Sequence, residues 1–245
     1  MNLIKSNVKN PLLPSTIENR QFIIPILFST QMVQAILNGK KTQTRRIVKS
    51  GIDTVKMEFA IMMDDQAYFK CDRNHWWGTS RKYFIGDILW VRESFTVLDP
   101  EHCMNGMSSR FVFKADCDSI SEEARKDYIK CGYPYQWKPS IHMPKIACRI
   151  FLKVTNIGVE RLNEISEQDS VDEGIILVGD NLNFGGTNYP GKWYENYGKE
   201  GYSFLKPIES YKSLWGSING TNSWKENPFV WVIEFERCEC PDGFR

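Results

Sequence analysis

The sequence lacks any apolar run of the roughly 18 to 20 residues that a membrane-spanning helix needs. Its first eleven residues, from Met1 to Pro11, also lack the apolar stretch of a signal peptide. The seven cysteines are an odd number and form no paired zinc-ligand pattern, so we predict no structural metal. We therefore expect a cytoplasmic protein with reduced thiols and no membrane partner.

A strong net charge is also absent, because 31 lysines and arginines oppose 30 acids for a formal charge of +1. Any binding of nucleic acid must then come from a local cationic patch. The sequence has no Gly-rich phosphate loop before a helix, no G-x-S-x-G and no H-E-x-x-H. These absences argue against a nucleoside triphosphatase, a serine hydrolase and a zinc protease, and no cofactor is implied.

What the sequence contains is typical of a globular protein, with 42% hydrophobic, 13% aromatic and 25% charged residues. Residues 1–20 show no sustained period and include two prolines, which indicates a tail or an extended arm. We expect residues 21–245 to form a single domain with insertions near 53–82, 96–135 and 179–204.

Short β-forming runs predict most of the secondary structure. The predicted strands are 22–28, 40–48, 56–62, 88–95, 110–115, 146–162 and 229–236, with Pro25 placing the first strand at an edge or a bulge. Helices are predicted at 31–38, 121–130, 167–173 and from Pro207 onwards. Many strands with few short helices indicate an α+β, mainly β protein built as a barrel or a sandwich.

Two of these helices have clear signals at both ends. Thr30 is the predicted cap of the first helix and Gly39 its stop, while Ser166 and Gly174 have the same roles around 167–173. The apolar face of the helix that follows Pro207 is predicted to carry Ile208, Tyr211, Trp215 and Ile218.

Residues 179–204 show neither a helix period nor a strand period, although they are rich in glycine and aromatic residues. A loop of this length inside a compact domain is usually functional or disordered. Its aromatic residues, separated by glycines, suggest a mobile lid that could stack on a base: Trp193, Tyr194, Tyr197 and Tyr202.

The segment ILNGKKTQTRRIVK, residues 36–49, contains five cations and no acid at a predicted helix-to-strand turn. These cations are Lys40, Lys41, Arg45, Arg46 and Lys49. Such a segment could stabilise a phosphate, or a carbonyl oxygen that gains negative charge. It could equally be a solvated edge strand that is protected from aggregation by its charges.

Within this segment, Gly39, Lys41, Thr44 and Arg46 resemble the G-x-K-x-x-T-x-R signature of ASCH domains, which belong to the PUA-like superfamily. Three further blocks resemble the longer members of that family that occur in phages and prophages, and they follow in the expected order. The blocks are GDILWVRESF, WKPSIHMPKIACRIFLKVTNIGVERL and NPFVWVIEFER. The resemblance implies a PUA-like β-barrel with short helices and a cleft.

The resemblance also implies a partner and an activity. The superfamily is associated with RNA and modified nucleotides, and small bacterial ASCH proteins are N(4)-acetylcytidine amidohydrolases that use a lysine, a threonine and a later glutamate. Matching that motif assigns Lys41 and Thr44 as catalytic residues. The segment LNEISEQDSVDEGI resembles the family's later helix and assigns Glu173, with Glu167 as the nearest competitor.

Amide hydrolysis needs a nucleophile, a proton acceptor and a group that stabilises the oxyanion. Lys41, flanked by cations that lower its pKa, could accept a proton from Thr44 Oγ, while Glu173 shuttles a proton or activates water. Arg46 could orient the base or the oxyanion. On an ideal strand, however, Thr44 and Arg46 share a face and Lys41 points to the other, so Lys41 is expected in the turn.

Other residues are candidates for binding a nucleoside or RNA. Gly39, Lys40, Arg45 and Arg46 belong to the signature segment, and Trp76 and Trp77 precede Arg81, Lys82 and Tyr83 in an aromatic and basic pattern. His142 lies between two prolines and two lysines. For the tryptophans and the histidine, ordinary structural roles are equally consistent with the pattern. A non-catalytic module that binds RNA is the alternative to the enzyme.

Overall fold

The computed structural model describes residues 21–49, 58–63, 66–70, 76–97, 111–117, 137–199 and 201–244. The predicted arm at 1–20, the predicted helix at 121–130 and parts of the first two predicted insertions lie outside these residues. Within the described ranges the protein is α+β and mainly β, as predicted. No helix in these ranges is both long and apolar enough to cross a membrane.

A mixed sheet of five strands organises the described residues. Across the sheet the order is β1 (Ile23–Leu27), β6 (Ile88–Arg92), β9 (Phe151–Arg161), β13 (Phe229–Cys238) and β2 (Gln43–Ile47). Only β1 and β6 run parallel. Pro25 therefore lies on an edge strand, as predicted, where its missing N–H removes no bond from the interior of the sheet.

The expected closed barrel is not found among the described residues. Their strand pairing leaves β1 and β2 as two separate edges of an open sheet. The chain between these edges forms α1 (Thr30–Leu37), and its Val33 and Ile36 pack into the main apolar core. Helix α1, which connects the two edge strands, therefore covers part of the main apolar core.

Strand β13 is central because its sequence is apolar on both faces. Residues Phe229–Ile233 are all buried, which is the pattern of a strand covered on both sides. Its Ile233 is in register with Thr44 of β2 on one side and with Ile157 of β9 on the other. This register fixes where the cationic segment enters the fold.

The first helix confirms the prediction for 31–38, with one correction at its cap. The capping residue is Ser29, whose Oγ accepts a hydrogen bond from the Met32 N–H, and Thr30 is the first helical residue. Ser29 has the extended backbone that a cap needs, whereas Thr30 is already helical. Gly39 ends the helix with φ +68°, as predicted.

Residues 179–204 are not a structureless loop, so that prediction is wrong. Strands β10 (Leu177–Phe184) and β11 (Thr187–Glu195) form a hairpin, and β12 (Ser203–Phe204) pairs with β11. The hairpin turns at Gly185 and Gly186, both with positive φ, as a two-residue turn requires. Most of β11 is exposed on both faces, which removes the alternation by which a strand is recognised.

Two aromatic residues of the proposed lid are packed against the body of the protein. Tyr194 is buried in a cluster with Tyr211. The Tyr197 hydroxyl accepts a hydrogen bond from the Ile176 N–H at 2.9 Å, and the Tyr197 N–H donates to Ser213 Oγ at 3.0 Å. Tyr202, in contrast, is exposed.

A second, three-stranded antiparallel sheet covers part of the main core. It contains β3 (Glu58–Met63), β4 (Gln66–Lys70) and β5 (Trp76–Ser80). The prediction for 56–62 is confirmed, but β4 and β5 were not predicted. Ala67 and Phe69 of β4 are fully buried.

The remaining strands β7 (Phe95–Val97) and β8 (Phe111–Phe113) pair with each other. The strand predicted at 110–115 ends early, because the chain forms α2 (Lys114–Cys117) after Phe113. Three short 3₁₀ turns lie at Ser140–His142, Lys145–Ala147 and Leu162–Glu164. The strand predicted at 146–162 therefore begins later, at Phe151.

The other helices are α3 (Glu167–Asp172), α4 (Pro207–Asn219) and α5 (Ser223–Glu226). The predicted cap at Ser166 is confirmed, since its Oγ accepts a hydrogen bond from the Asp169 N–H at 3.0 Å. On α4 the buried face consists of Tyr211, Leu214 and Trp215. Ile218, predicted on this face, is exposed because the buried stripe ends at Trp215.

Candidate functional site

Strand β2 and the residues before it present alternate side chains to α3. Lys41, Gln43 and Arg45 all contact residues at or near this helix, as expected for a period of two. Gln43 Nε2 donates to the backbone oxygen of Asp169 at 2.8 Å and to its Oδ1 at 3.1 Å. The geometry thus brings the predicted signature segment onto the predicted glutamate helix.

Lys41 and Glu173 form a buried ion pair. Lys41 Nζ donates to Glu173 Oε2 and to the Glu173 backbone oxygen, both at 2.8 Å. The exposed fraction of the side chain is 0% for Lys41 and 2% for Glu173. The backbones of the two residues also meet in an isolated antiparallel bridge just outside β2. Lys41 therefore lies in the turn before β2, and its side chain points to the same side as those of Gln43 and Arg45.

Local sequence explains why Glu173 arrives at this point. A reciprocal pair of hydrogen bonds between Ser166 and Asp169 starts α3, and Glu173 is the residue that ends it. Gly174 follows with φ +84°, and a Cβ there would lie 2.7 Å from Lys41 Cβ and 2.8 Å from Ala35 Cβ. Only glycine permits both this backbone conformation and this close approach.

Arg45 holds the other oxygen of Glu173. Arg45 Nη1 donates to Glu173 Oε1 at 3.2 Å, and Arg45 Nε donates to Glu160 Oε1 at 2.8 Å. Arg45 Nη2 lies 3.6 Å from Asp169 Oδ2 and has no hydrogen-bond partner among the described residues. The Glu173 carboxylate is therefore shared between two cations, one on each oxygen.

Burial and neighbouring charges set the protonation of this network. Burial lowers the pKa of Lys41, the negative charge of Glu173 opposes that change, and the positive charges of Arg46 and Arg45 lower the pKa further. A lysine with a lowered pKa is neutral over a wider range of pH. At a pH where Lys41 is neutral, its two amine hydrogens can satisfy Glu173 Oε2 and the Glu173 backbone oxygen, and its lone pair is left to accept a proton.

A cavity of about 280 Å³ adjoins this network. Thr44, Arg45, Arg46 and Glu173 contribute to its wall from one side, and Tyr211 of α4 contributes from the other. Burial, together with the charge of Glu173, raises the pKa of Tyr211, so its hydroxyl stays protonated and can donate a hydrogen bond. The cavity thus combines a hydroxyl nucleophile, a carboxylate and cationic donors.

Arg46 continues the cationic surface towards β1. Its Nη2 donates to the Leu27 backbone oxygen at 2.8 Å, and its guanidinium lies 5.4 Å from the centre of the Phe28 ring. Lys41 Nζ lies 5.6 Å from the same ring centre. Phe28 therefore stands between the two cations of the signature.

The other predicted binding residues are more dispersed. Gly39 and Lys40 are exposed at the turn before β2, and His142 is exposed in the first 3₁₀ turn. Trp76 and Trp77 are also exposed, on β5 of the second sheet. The cavity wall formed by the described residues does not include any of these five.

Sequence reasoning did not single out four residues of the site: Gln43, Glu160, Asp169 and Tyr211. For Gln43, the available signal was its place between Lys41 and Arg45 in the alternation of the strand. Asp169 carried the signal of a reciprocal cap, at the third position after Ser166. Glu160 lies on β9, two strands away from Arg45 across β13, and no local pattern connects them.

Comparison of the chain with protein-family models, with curated proteins and with solved structures found no match in any of the three. The functional assignment therefore depends on the site and on the motif resemblance.

Proposed function

We propose that this protein is an amidohydrolase of the ASCH type that removes an acyl group from a modified nucleoside, with N(4)-acetylcytidine as the model substrate. The supporting observation is the 2.8 Å pair of Lys41 Nζ and Glu173 Oε2, buried beside a cavity to which Thr44 and Glu173 both contribute. These three residues correspond to the lysine and threonine of the ASCH signature and to the later glutamate that the resemblance assigns. The fold proposed with this activity is the PUA-like barrel, with the open five-stranded sheet as part of its wall.

In the proposed reaction, Thr44 Oγ attacks the acyl carbonyl carbon, and its proton passes to neutral Lys41 Nζ. The carbonyl oxygen gains negative charge, which Arg46 and the protonated Tyr211 hydroxyl can stabilise. Collapse of the tetrahedral intermediate breaks the bond between carbon and nitrogen, and the departing amine takes the proton from Lys41. The nucleoside leaves, and the acyl group remains on Thr44.

Water then completes the reaction. Glu173 orients or activates a water molecule, which attacks the acyl-threonine carbonyl carbon. Thr44 Oγ regains a proton, and the acid, acetate in the case of acetylcytidine, is released. The cavity volume of about 280 Å³ lies at the lower end of the range for small-molecule pockets, which favours a small ligand group such as an acylated base.

The proposal is tested by incubating the purified chain with N(4)-acetylcytidine and following the release of cytidine by liquid chromatography. Wild type should release cytidine, and Lys41→Ala should not. Lys153→Ala, which removes an exposed lysine on β9, is the matched control and should behave as wild type. Absence of turnover by wild type on a panel of acylated nucleosides would refute the hydrolase.

A non-catalytic module that binds RNA or modified nucleic acid is the second candidate. The observation in its favour is that Lys41 is fully buried and is not part of the cavity wall. Binding needs only a cationic groove and stacking surfaces such as the exposed Trp76 and Trp77. Tight RNA binding that survives Lys41→Ala, without turnover on the nucleoside panel, would favour this candidate.

A further inference from the structure

A second concave surface, with a volume of about 590 Å³, lies next to the candidate cavity. Five cations from separate segments contribute to it, and no acidic residue of the described part of the chain does. They are Arg46 and Lys49 from β2 and its end, Arg81 and Lys82 after β5, and Arg92 at the end of β6. We call this surface the cationic groove.

Aromatic rings, and not carboxylates, hold several of these cations in place. The Arg92 guanidinium lies 5.3 Å from the centre of the Trp90 ring, and Lys82 Nζ lies 5.2 Å from the centre of the Tyr83 ring. Arg46 contacts Phe28 in the same way. A ring orients a cation but leaves its full charge available to a ligand.

Ion pairing in the described part of the chain follows the opposite pattern away from the groove. Arg45 and Arg149 each pair with more than one carboxylate. Among the described residues, no ion pair involves Arg46, Lys49, Lys82 or Arg92. Clustering these cations without counter-charges costs free energy through mutual repulsion, which an anionic ligand would relieve.

The cationic groove and the candidate cavity adjoin, because Arg46, Ile47 and Lys49 line both. The cavity has a volume of about 280 Å³, at the lower end for small-molecule sites, and the groove beside it has about 590 Å³. A base placed against Thr44 would therefore direct the rest of its nucleotide past Arg46 into the groove. The groove floor there includes Ile157 and Trp231, which offer an apolar surface to a ribose.

We propose that the cationic groove binds a phosphate group attached to the modified nucleoside, so that the preferred substrate is a nucleotide or a nucleic-acid strand and not the free nucleoside. The catalytic half of this statement rests on the proposed amidohydrolase function. The binding half does not, because the groove can recognise a phosphate whether or not a reaction follows. Lys49 and Lys82, both exposed, supply mobile charges, and Arg46 joins the two sites.

The experiment measures equilibrium binding of ligands that cannot be hydrolysed. Cytidine, cytidine 5′-monophosphate and tetracytidylate are titrated into the full chain by isothermal calorimetry at low and at high salt. The monophosphate should bind at least about tenfold more tightly than cytidine, as expected for charge-assisted contacts. The advantage should shrink at high salt, because salt screens exposed charges.

The double variant Lys49→Gln/Lys82→Gln should lose most of this advantage. Its matched control is Lys199→Gln, which removes an outlying cation that also lies over a tyrosine ring, at 4.0 Å from Tyr202. The control should keep the wild-type ratio of affinities. A ratio that is unchanged in the double variant would place the phosphate elsewhere and overturn the proposal.

The three ligands separate the possible sources of the phosphate. Tighter binding of the monophosphate supports the groove with a mononucleotide as ligand, and tighter binding of tetracytidylate alone supports it with a strand as ligand. Equal affinity for all three overturns it. Hydrolysis of N(4)-acetylcytidine with no preference for its 5′-monophosphate would refute the groove and keep the hydrolase. Phosphate-dependent binding without any turnover would support the groove and refute the hydrolase.

Discussion

Two glutamates in the described part of the chain are almost fully buried, and their surroundings differ. Glu173 is 2% exposed and shares its carboxylate between Lys41 and Arg45, whose side chains are themselves fully buried. Glu93 is 1% exposed and binds Arg149 through both oxygens, at 2.8 and 3.0 Å. Arg149 is partly exposed and continues to Asp116 at the surface.

Burial of a carboxylate is therefore not enough to indicate a working site. Burial raises the pKa of Glu93, and Arg149 opposes that change, which is the usual balance of a structural ion pair. Around Glu173 the side chains of both paired cations are fully buried, and a cavity opens on one side. We attribute function to Glu173 because of the cavity and the lysine, and a structural role to Glu93.

The largest effect is expected for Lys41→Ala. Loss of the general base should lower kcat/KM on the acylated substrate by about 10²- to 10⁴-fold. Glu173 would keep Arg45 as a partner, so circular dichroism should still show a folded protein. If Lys41→Ala kept the wild-type kcat/KM, the buried pair of Lys41 and Glu173 would have only a structural role, as the pair of Glu93 and Arg149 has.

Gly174→Ala should destabilise the protein by about 3 kcal/mol, because an L residue is strained at positive φ and its Cβ would displace Lys41 and Ala35. Gly39→Ala is the matched control, since Gly39 also has positive φ but a Cβ there meets nothing within 4 Å. It should cost about 1 kcal/mol, from the backbone conformation alone. Urea denaturation measures both, and equal losses would contradict the close packing around Lys41.

Glu93→Gln tests the other buried glutamate. The change removes the charge that binds Arg149 but leaves Asp116 as a partner, so we expect a loss of about 2 kcal/mol in unfolding free energy. The kcat/KM of the folded variant should remain within about twofold of wild type, because Glu93 does not line the candidate cavity and its change removes no contact there that transition-state binding could lose. A kcat/KM loss comparable to that of Lys41→Ala would show that Glu93 also serves the site.

The smallest effect is a shift in pH dependence for Arg45→Gln. Lys41 acts as a base when neutral, so kcat/KM should rise as pH increases through its lowered pKa. Arg45 contributes to the lowering, and its removal should raise the Lys41 pKa and move the rising limb to higher pH. Arg45→Lys keeps a positive charge and should leave the limb closer to wild type. A limb that does not move in Arg45→Gln would mean that Lys41 is not the titrating base.

Much of the fold could be predicted from local patterns. The edge strand with Pro25, the helix ended by Gly39 and the capped helix after Ser166 all have strong signals within a few residues. The hairpin of β10 and β11 could not be recognised by periodicity, because exposure on both faces leaves no alternation to detect. Its turn at Gly185 and Gly186 was the one available signal.

The closed barrel was a fold-level expectation, and it depends on long-range pairing that no local pattern encodes. Among the described residues β1 and β2 are not paired with each other. The second sheet was underpredicted for a related reason. Its strands are short. On β5 the adjacent residues Trp76 and Trp77 point to opposite faces and are both exposed, so neither face of this strand is clearly apolar.

By itself, the sequence predicted most strands of the five-stranded sheet, the helices at 31–38 and after Ser166, the motif from Gly39 to Arg46, and Glu173 as the acid at a helix end. Only the tertiary structure decided that Glu173 meets Lys41 at 2.8 Å, that Arg45 reaches Glu160 across β13, and that the paired charges are buried. The physical reason is the separation along the sequence of the residues that interact. Caps, turns and alternation arise from neighbours within a few residues, whereas Lys41 and Glu173 are 132 residues apart and meet only when the sheet and α3 have packed.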